Sequence, residues 1–146
     1  MISSKEAERM IKNMWNELKK QPRYKFFSHN WKEKFTRSSG IYVVWDKGKP
    51  VYFGETGNLR GRIQDLEDSR HHTLVRMVGE EKFKNVKGFQ KATSKKKFPK
   101  HIEKAVRVYL KINFKISFLK IYFGRKEFEE KMIEKFKGYN KRKKRK

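Results

Sequence analysis

The sequence predicts an α+β protein, a small three-stranded antiparallel sheet flanked by helices, with an extra helix at the N-terminus. Three observations predict it. A β-branched and aromatic run over 41–45 (IYVVW) meets turn chemistry at 46–50 (DKGKP) and restarts at 51–53 (VYF), the signature of a hairpin. A second run over 116–123 (ISFLKIYF) is rich in β-formers and short enough to add a third strand. Around both, apolar residues recur at three- and four-residue spacing, which is the helical period. No repeat of solenoid length is present, so the order of elements describes a single layered unit.

The elements follow in chain order. Over 3–20, Ala7, Met10, Ile11, Met14, Trp15 and Leu18 make one apolar stripe, and Ser3 with Glu6 forms a capping box. Pro22 ends that helix. Residues 23–38 are aromatic and basic without a period and read as an irregular connector or short helix. After the hairpin, Gly54 breaks the strand and Asn58 caps a helix running to about Leu66. A short helix is expected over 71–78, and the polar stretch 84–97 reads as a loop. Pro99 opens a helix whose buried stripe is Ile102, Ala105, Val106, Tyr109 and Leu110. Past the third strand, Gly124 interrupts and 126–137 returns to helical spacing.

Composition narrows the function. The 146 residues carry 40 Lys and Arg against 16 Asp and Glu, a formal net charge of +24. Such a charge repels itself in the compact state, and a polyanionic partner is the simplest reason to tolerate it. Nucleic acid is the expected partner, DNA first and RNA as an alternative, because neutralised phosphates release condensed counterions. The competing reading is a lysine-rich solvated surface, which the excess of Lys over Arg, 29 to 11, fits. The charge clusters in 1–38, in the run Lys95, Lys96, Lys97 and Lys100, and in the tail 139–146 (YNKRKKRK). The tail is an electrostatic arm or a solvated terminus. Twenty-one aromatic residues argue against disorder. No apolar stretch is long enough to cross a bilayer, so no membrane partner is expected. The N-terminus lacks the apolar core of a secretory signal, which predicts a cytoplasmic protein. Without cysteine there are no disulfides, thiolate zinc sites or cysteine nucleophiles.

Two segments carry polar groups where a core alone would not require them. Tyr42 and Tyr52 lie on the two strands of the hairpin, and Arg62 follows in the next helix beside Arg60. A cross-strand core pair and a solvated arginine are the ordinary readings of such residues. In the last helix, advancing about 100° per residue puts Phe128, Met132, Ile133 and Phe136 on one face with Glu129 among them. An inward carboxylate needs a cation, either a metal ion or a basic side chain. The four histidines show no metalloprotease spacing, and neither a phosphate-binding loop nor a nucleophile elbow is present. His71 and His72 are phosphate contacts or helix-surface residues.

The residues Gly40-Ile41-Tyr42, then Tyr52-Phe53-Gly54, then Asn58-Leu59-Arg60-Gly61-Arg62 resemble the opening of the GIY-YIG nuclease superfamily, with Phe53 for the usual isoleucine. Counted from Gly54, Arg62 matches the catalytic arginine of that superfamily. Glu129, Met132-Ile133 and Tyr139-Asn140 match the order of its metal-binding glutamate, following apolar pair and asparagine. Position 66, a histidine in several members, is leucine here. The resemblance spans about 38–141 and implies three units: a helix and basic connector over 1–38, a nuclease-like domain over 39–138 and a basic tail over 139–146. It also implies metal-dependent cleavage of phosphodiester bonds in DNA. Tyr42, Tyr52, Arg62, Glu129 and Asn140 would be the catalytic residues, and Glu129 the ligand of Mg²⁺ or Mn²⁺. Arg60, Lys95, Lys96, Lys97, Lys100, Lys141 and Arg142 would hold nucleic acid. The alternatives are a binding module on the same scaffold without turnover, and a basic structural protein of a ribonucleoprotein.

Overall fold

The computed structural model describes residues 3–140. Helix α1, Ser4–Lys20, begins at the expected box. The Ser3 hydroxyl accepts the Glu6 N–H at 3.1 Å and donates to the Glu6 carboxylate at 3.1 Å. Its stripe buries Met14, Trp15 and Leu18. The hairpin joins β2, Gly40–Asp46, to β3, Lys49–Thr56. Lys47 and Gly48, the two turn residues, both take positive φ, 52° and 82°, the primed turn whose twist matches paired strands. Helix α2 covers Leu59–Gln64 and runs into a 3₁₀ turn at Asp65–Glu67. Asn58 caps it by accepting the Gly61 N–H at 3.1 Å.

Helix α3 occupies Thr73–Phe83, later and longer than the expected 71–78, because His72 is its cap and extended in backbone. Helix α4, Lys100–Asn113, follows Pro99. It passes directly into β4, Phe114–Lys120, two residues before the expected start. The alternation of buried Phe114 and Ile116 with exposed Lys115 sets that start. The strand ends at Lys120 because its partner begins at Gly40. Helix α5 spans Arg125–Lys135.

The sheet has four strands, not three. Tyr24–Lys25, inside the stretch read as a connector, forms β1 and pairs antiparallel with β4 through Tyr24 opposite Ile116. Two residues are too few to show a period, and their partner lies far downstream. The order is β1-β4-β2-β3, all antiparallel, which leaves β3 at one edge. Side chains alternate between two cores. Ile41, Val43, Trp45 and Phe53 meet α1 and α5, with Trp15 stacked on Trp45 at 5.8 Å. Tyr42, Val44, Tyr52 and Ile116 face α2, α3 and α4. Helices therefore cover both sides, and α1 is part of one layer. Among the described residues no helix is long and apolar enough to cross a membrane.

The outer edge of β3 is sealed by the C-terminal segment. Tyr139 N–H donates to Val51 O at 2.7 Å. The Asn140 side chain accepts the Phe53 N–H and donates to the Phe53 carbonyl, each at 2.8 Å. Glu129 Oε2 accepts the Glu55 N–H at 2.9 Å. Backbone groups that would otherwise offer a template for another strand are thereby satisfied.

Candidate active site

Register brings the two phenols together. Tyr42 pairs with Gly54 and Val44 with Tyr52, so both tyrosines occupy one face as diagonal neighbours. Their rings stack at 6.2 Å. Gly54 leaves the space. A Cβ there would lie 2.1 Å from Tyr42 Cζ. Both rings also belong to the core, Tyr42 at 1% exposure and Tyr52 at 8%.

Sequence reasoning missed the third member of this cluster. His72 is fully buried instead of lying on a helix surface. Its Nδ1 accepts the Leu74 N–H at 3.1 Å and its Nε2 lies 3.0 Å from Tyr42 Oη. A neutral imidazole accepting at Nδ1 carries its proton on Nε2, so His72 donates to Tyr42 Oη. Burial, then the charges of Arg62 and Arg76, push the His72 pKa well below its ordinary value and keep it neutral. The available signal was a polar residue at the cap position immediately before the apolar Leu74-Val75 of α3.

Arg62 reaches the phenols from α2. Its Nη1 donates to Asp65 Oδ2 at 3.1 Å and to His71 O at 2.9 Å, which orients the guanidinium. Burial raises the pKa of Tyr42 well above the ordinary phenol value, and the neighbouring Tyr52 raises it further, while the Arg62 charge opposes both. Tyr52 is raised for the same first reason, burial, again opposed by Arg62. Glu129 raises both phenols electrostatically, so its carboxylate acts on the cluster from the outer edge of β3. Burial works against the charge of Arg62, but the two phenols and Asp65 outweigh it and raise its pKa.

The structure thus gathers Tyr42, Tyr52 and Arg62 with His72, and sets Glu129 within electrostatic reach. Asn140 is engaged on both sides of Phe53 and acts as a brace for β3. Arg60 Nε donates to Phe35 O at 2.8 Å. Lys95 and Lys96 are exposed, in the loop before α4, where Lys96 Nζ reaches Gln90 Oε1 at 3.2 Å. Lys97 pairs with Asp68 at 3.6 Å, and Lys100 opens α4. Lys141 and Arg142 lie outside the described residues.

Among the described residues, no group of three or more His, Asp or Glu could hold a metal ion. A hard divalent ion that keeps most of its waters needs less, one or two carboxylates together with substrate phosphate. Glu129, half-buried and oriented by the Glu55 amide, fits that lesser requirement. No family model matches the chain, and no curated protein or solved structure matches it either.

Proposed function

We propose that this protein is a metal-dependent endonuclease that hydrolyses phosphodiester bonds in DNA through a GIY-YIG-type site. One observation carries the reading: two stacked phenols and a guanidinium share one buried cluster, with a carboxylate acting on them from the strand edge. The net charge of +24 supports a polyanionic substrate.

Arg62, held by Asp65 and the His71 carbonyl, is a preorganised cation against the charge that develops on the attacked phosphate. The phenols act as a coupled pair. Burial raises the cost of ionising both, Tyr52 raises that of Tyr42 further, and a hydrogen bond from Tyr42 lowers that of Tyr52, so Tyr52 serves as base while Tyr42 stays a neutral donor. His72 donates to Tyr42 Oη, which aligns that phenol and leaves its own proton free to point at Tyr52. Tyr52 is the less buried of the two and the better placed to meet water. Glu129 is the residue that would hold Mg²⁺ or Mn²⁺, an ion that, when bound, supplies charge stabilisation at the phosphate and leaving oxygen.

The test is a cleavage panel over plasmid, duplex, flap, junction and single-stranded DNA, and RNA, in Mg²⁺, Mn²⁺ and EDTA, beside Arg62→Ala and Glu129→Ala. Metal-dependent nicking by wild type that both variants lose supports the reading. Equal cutting by all three, or no cutting of any substrate, defeats it. A second reading, a nucleic-acid-binding module without turnover, is favoured by Leu66 in place of a histidine and by the edge-sealing duties of Glu129 and Asn140. It expects salt-dependent binding of unaltered substrate and no Mn²⁺ site in a metal titration.

A further inference from the structure

The link between β4 and α5 presents two aromatic rings to solvent. Tyr122 is 68% exposed and Phe123 is 85% exposed, the latter the most exposed large apolar side chain among the described residues. Their backbone is held on both sides. Ile121 N–H donates to Ser39 O at 3.1 Å, and Ile121 O accepts the Ser39 hydroxyl at 2.8 Å. Gly124 takes the left-handed φ of +80°, and a Cβ there would come within 2.9 Å of Met10 Cε and 3.0 Å of Met14 Cε. Arg125 then pairs with Glu55 at 3.3 Å. Contacts at 121 and 125 thus bracket a two-residue projection between β4 and α5.

The surroundings of the projection are cationic. Lys120 and Lys126 flank it along the chain, Arg125 is already paired with Glu55, and Glu127 follows. Gly40 is in register with both Lys120 and Thr56, so the projection leaves the sheet at the same end as β3 leaves it. Glu55, near that end, joins the two regions. Its carboxylate meets Arg125 and its amide meets Glu129 of the candidate site.

We infer that Tyr122 and Phe123 are a stacking platform for unpaired nucleobases of a strand held at the neighbouring site, an inference that rests on the nucleic-acid reading above. Aromatic faces accept any base, and the flanking cations track the backbone on either side. Pairing with a second copy is opposed by the repulsion between two chains of +24. The substrate class this selects is DNA with a single-stranded or splayed segment next to the cleavage point.

The experiment measures affinity by anisotropy in EDTA, where no cleavage occurs. Wild type, Tyr122→Ala/Phe123→Ala and Tyr122→Phe/Phe123→Trp are each titrated with a single-stranded oligonucleotide and a blunt duplex. The alanine pair is expected to weaken single-strand binding by about 5- to 100-fold, at an unchanged salt slope because no cation is removed. The aromatic pair should restore the affinity, and blunt-duplex binding should not change. Equal single-strand affinity in all three proteins overturns the inference. So does an equal loss on duplex, or a loss confined to binding of anionic phosphatidylserine vesicles or to self-association in sedimentation. A wild type that binds no nucleic acid at all defeats the reading beneath it as well. Binding that is indifferent to these two residues defeats only the platform.

Discussion

At the scale of single residues, His72 performs two tasks with one ring. Its Nδ1 caps the start of α3 and its Nε2 proton positions Tyr42. The consequence is measurable in pH. In the unfolded chain the imidazole titrates near ~6.5, and in the folded chain its pKa is depressed. Between those values the unfolded state binds the extra proton. This contribution is therefore complete above about pH 6.5 and falls as pH drops, by ~1.4 kcal/mol per unit until the folded pKa is reached. Denaturant unfolding at pH 7.5 and 5.5 should show wild type losing more stability across that interval than His72→Gln does. An identical loss in both would assign the acid sensitivity to other groups. Gly54 makes a steric prediction. Gly54→Ala places a methyl inside the Tyr42 ring volume and should cost ~1–3 kcal/mol, read as a lower melting temperature. The cost should shrink in a Tyr42→Ala background, and if it does not, the clash is not with that ring.

At the scale of elements, α5 both seals β3 and delivers the carboxylate, and these roles can be separated. Glu129→Gln keeps an oxygen to accept the Glu55 N–H, whereas Glu129→Ala removes it. The glutamine variant should unfold close to wild type, and the alanine variant ~1–2 kcal/mol earlier. Metal-dependent cleavage should vanish in both. A glutamine variant that cuts normally would reduce Glu129 to a strand clasp. The same elements show what a linear reading can reach. The stripe and capping box of α1, the Lys47-Gly48 turn and the Pro99 start of α4 are local signals, and each was legible. Tyr42, Tyr52 and Arg62 were legible as a motif, and Glu129 as the one acid on an apolar arc. What escaped depends on partners distant along the chain. The two-residue β1 exists because β4 passes beside it, and the burial of His72 follows from how α3 docks against the hairpin.

At the scale of the whole molecule, charge sets opposite responses to salt. Self-repulsion of a +24 chain is screened by added ions, so the melting temperature should rise between low and moderate NaCl. Affinity for DNA should fall over the same range, with log K linear in log salt. A melting temperature that falls alongside the affinity would show that attractive ion pairs dominate the fold. The surface pairs present, such as Lys20 with Glu17 at 3.6 Å and Lys91 with Glu80 at 3.2 Å, are exposed and contribute little.

The clasp along β3 also orders events during synthesis. The hairpin emerges from the ribosome long before residues 129–140, so the strand waits with its flank open until the final stretch arrives. A polypeptide halted before that point would carry a naked ladder of amides and carbonyls, ready to zip onto a neighbour. Premature termination in this protein should yield chains that self-associate once salt screens their repulsion, not shortened working copies.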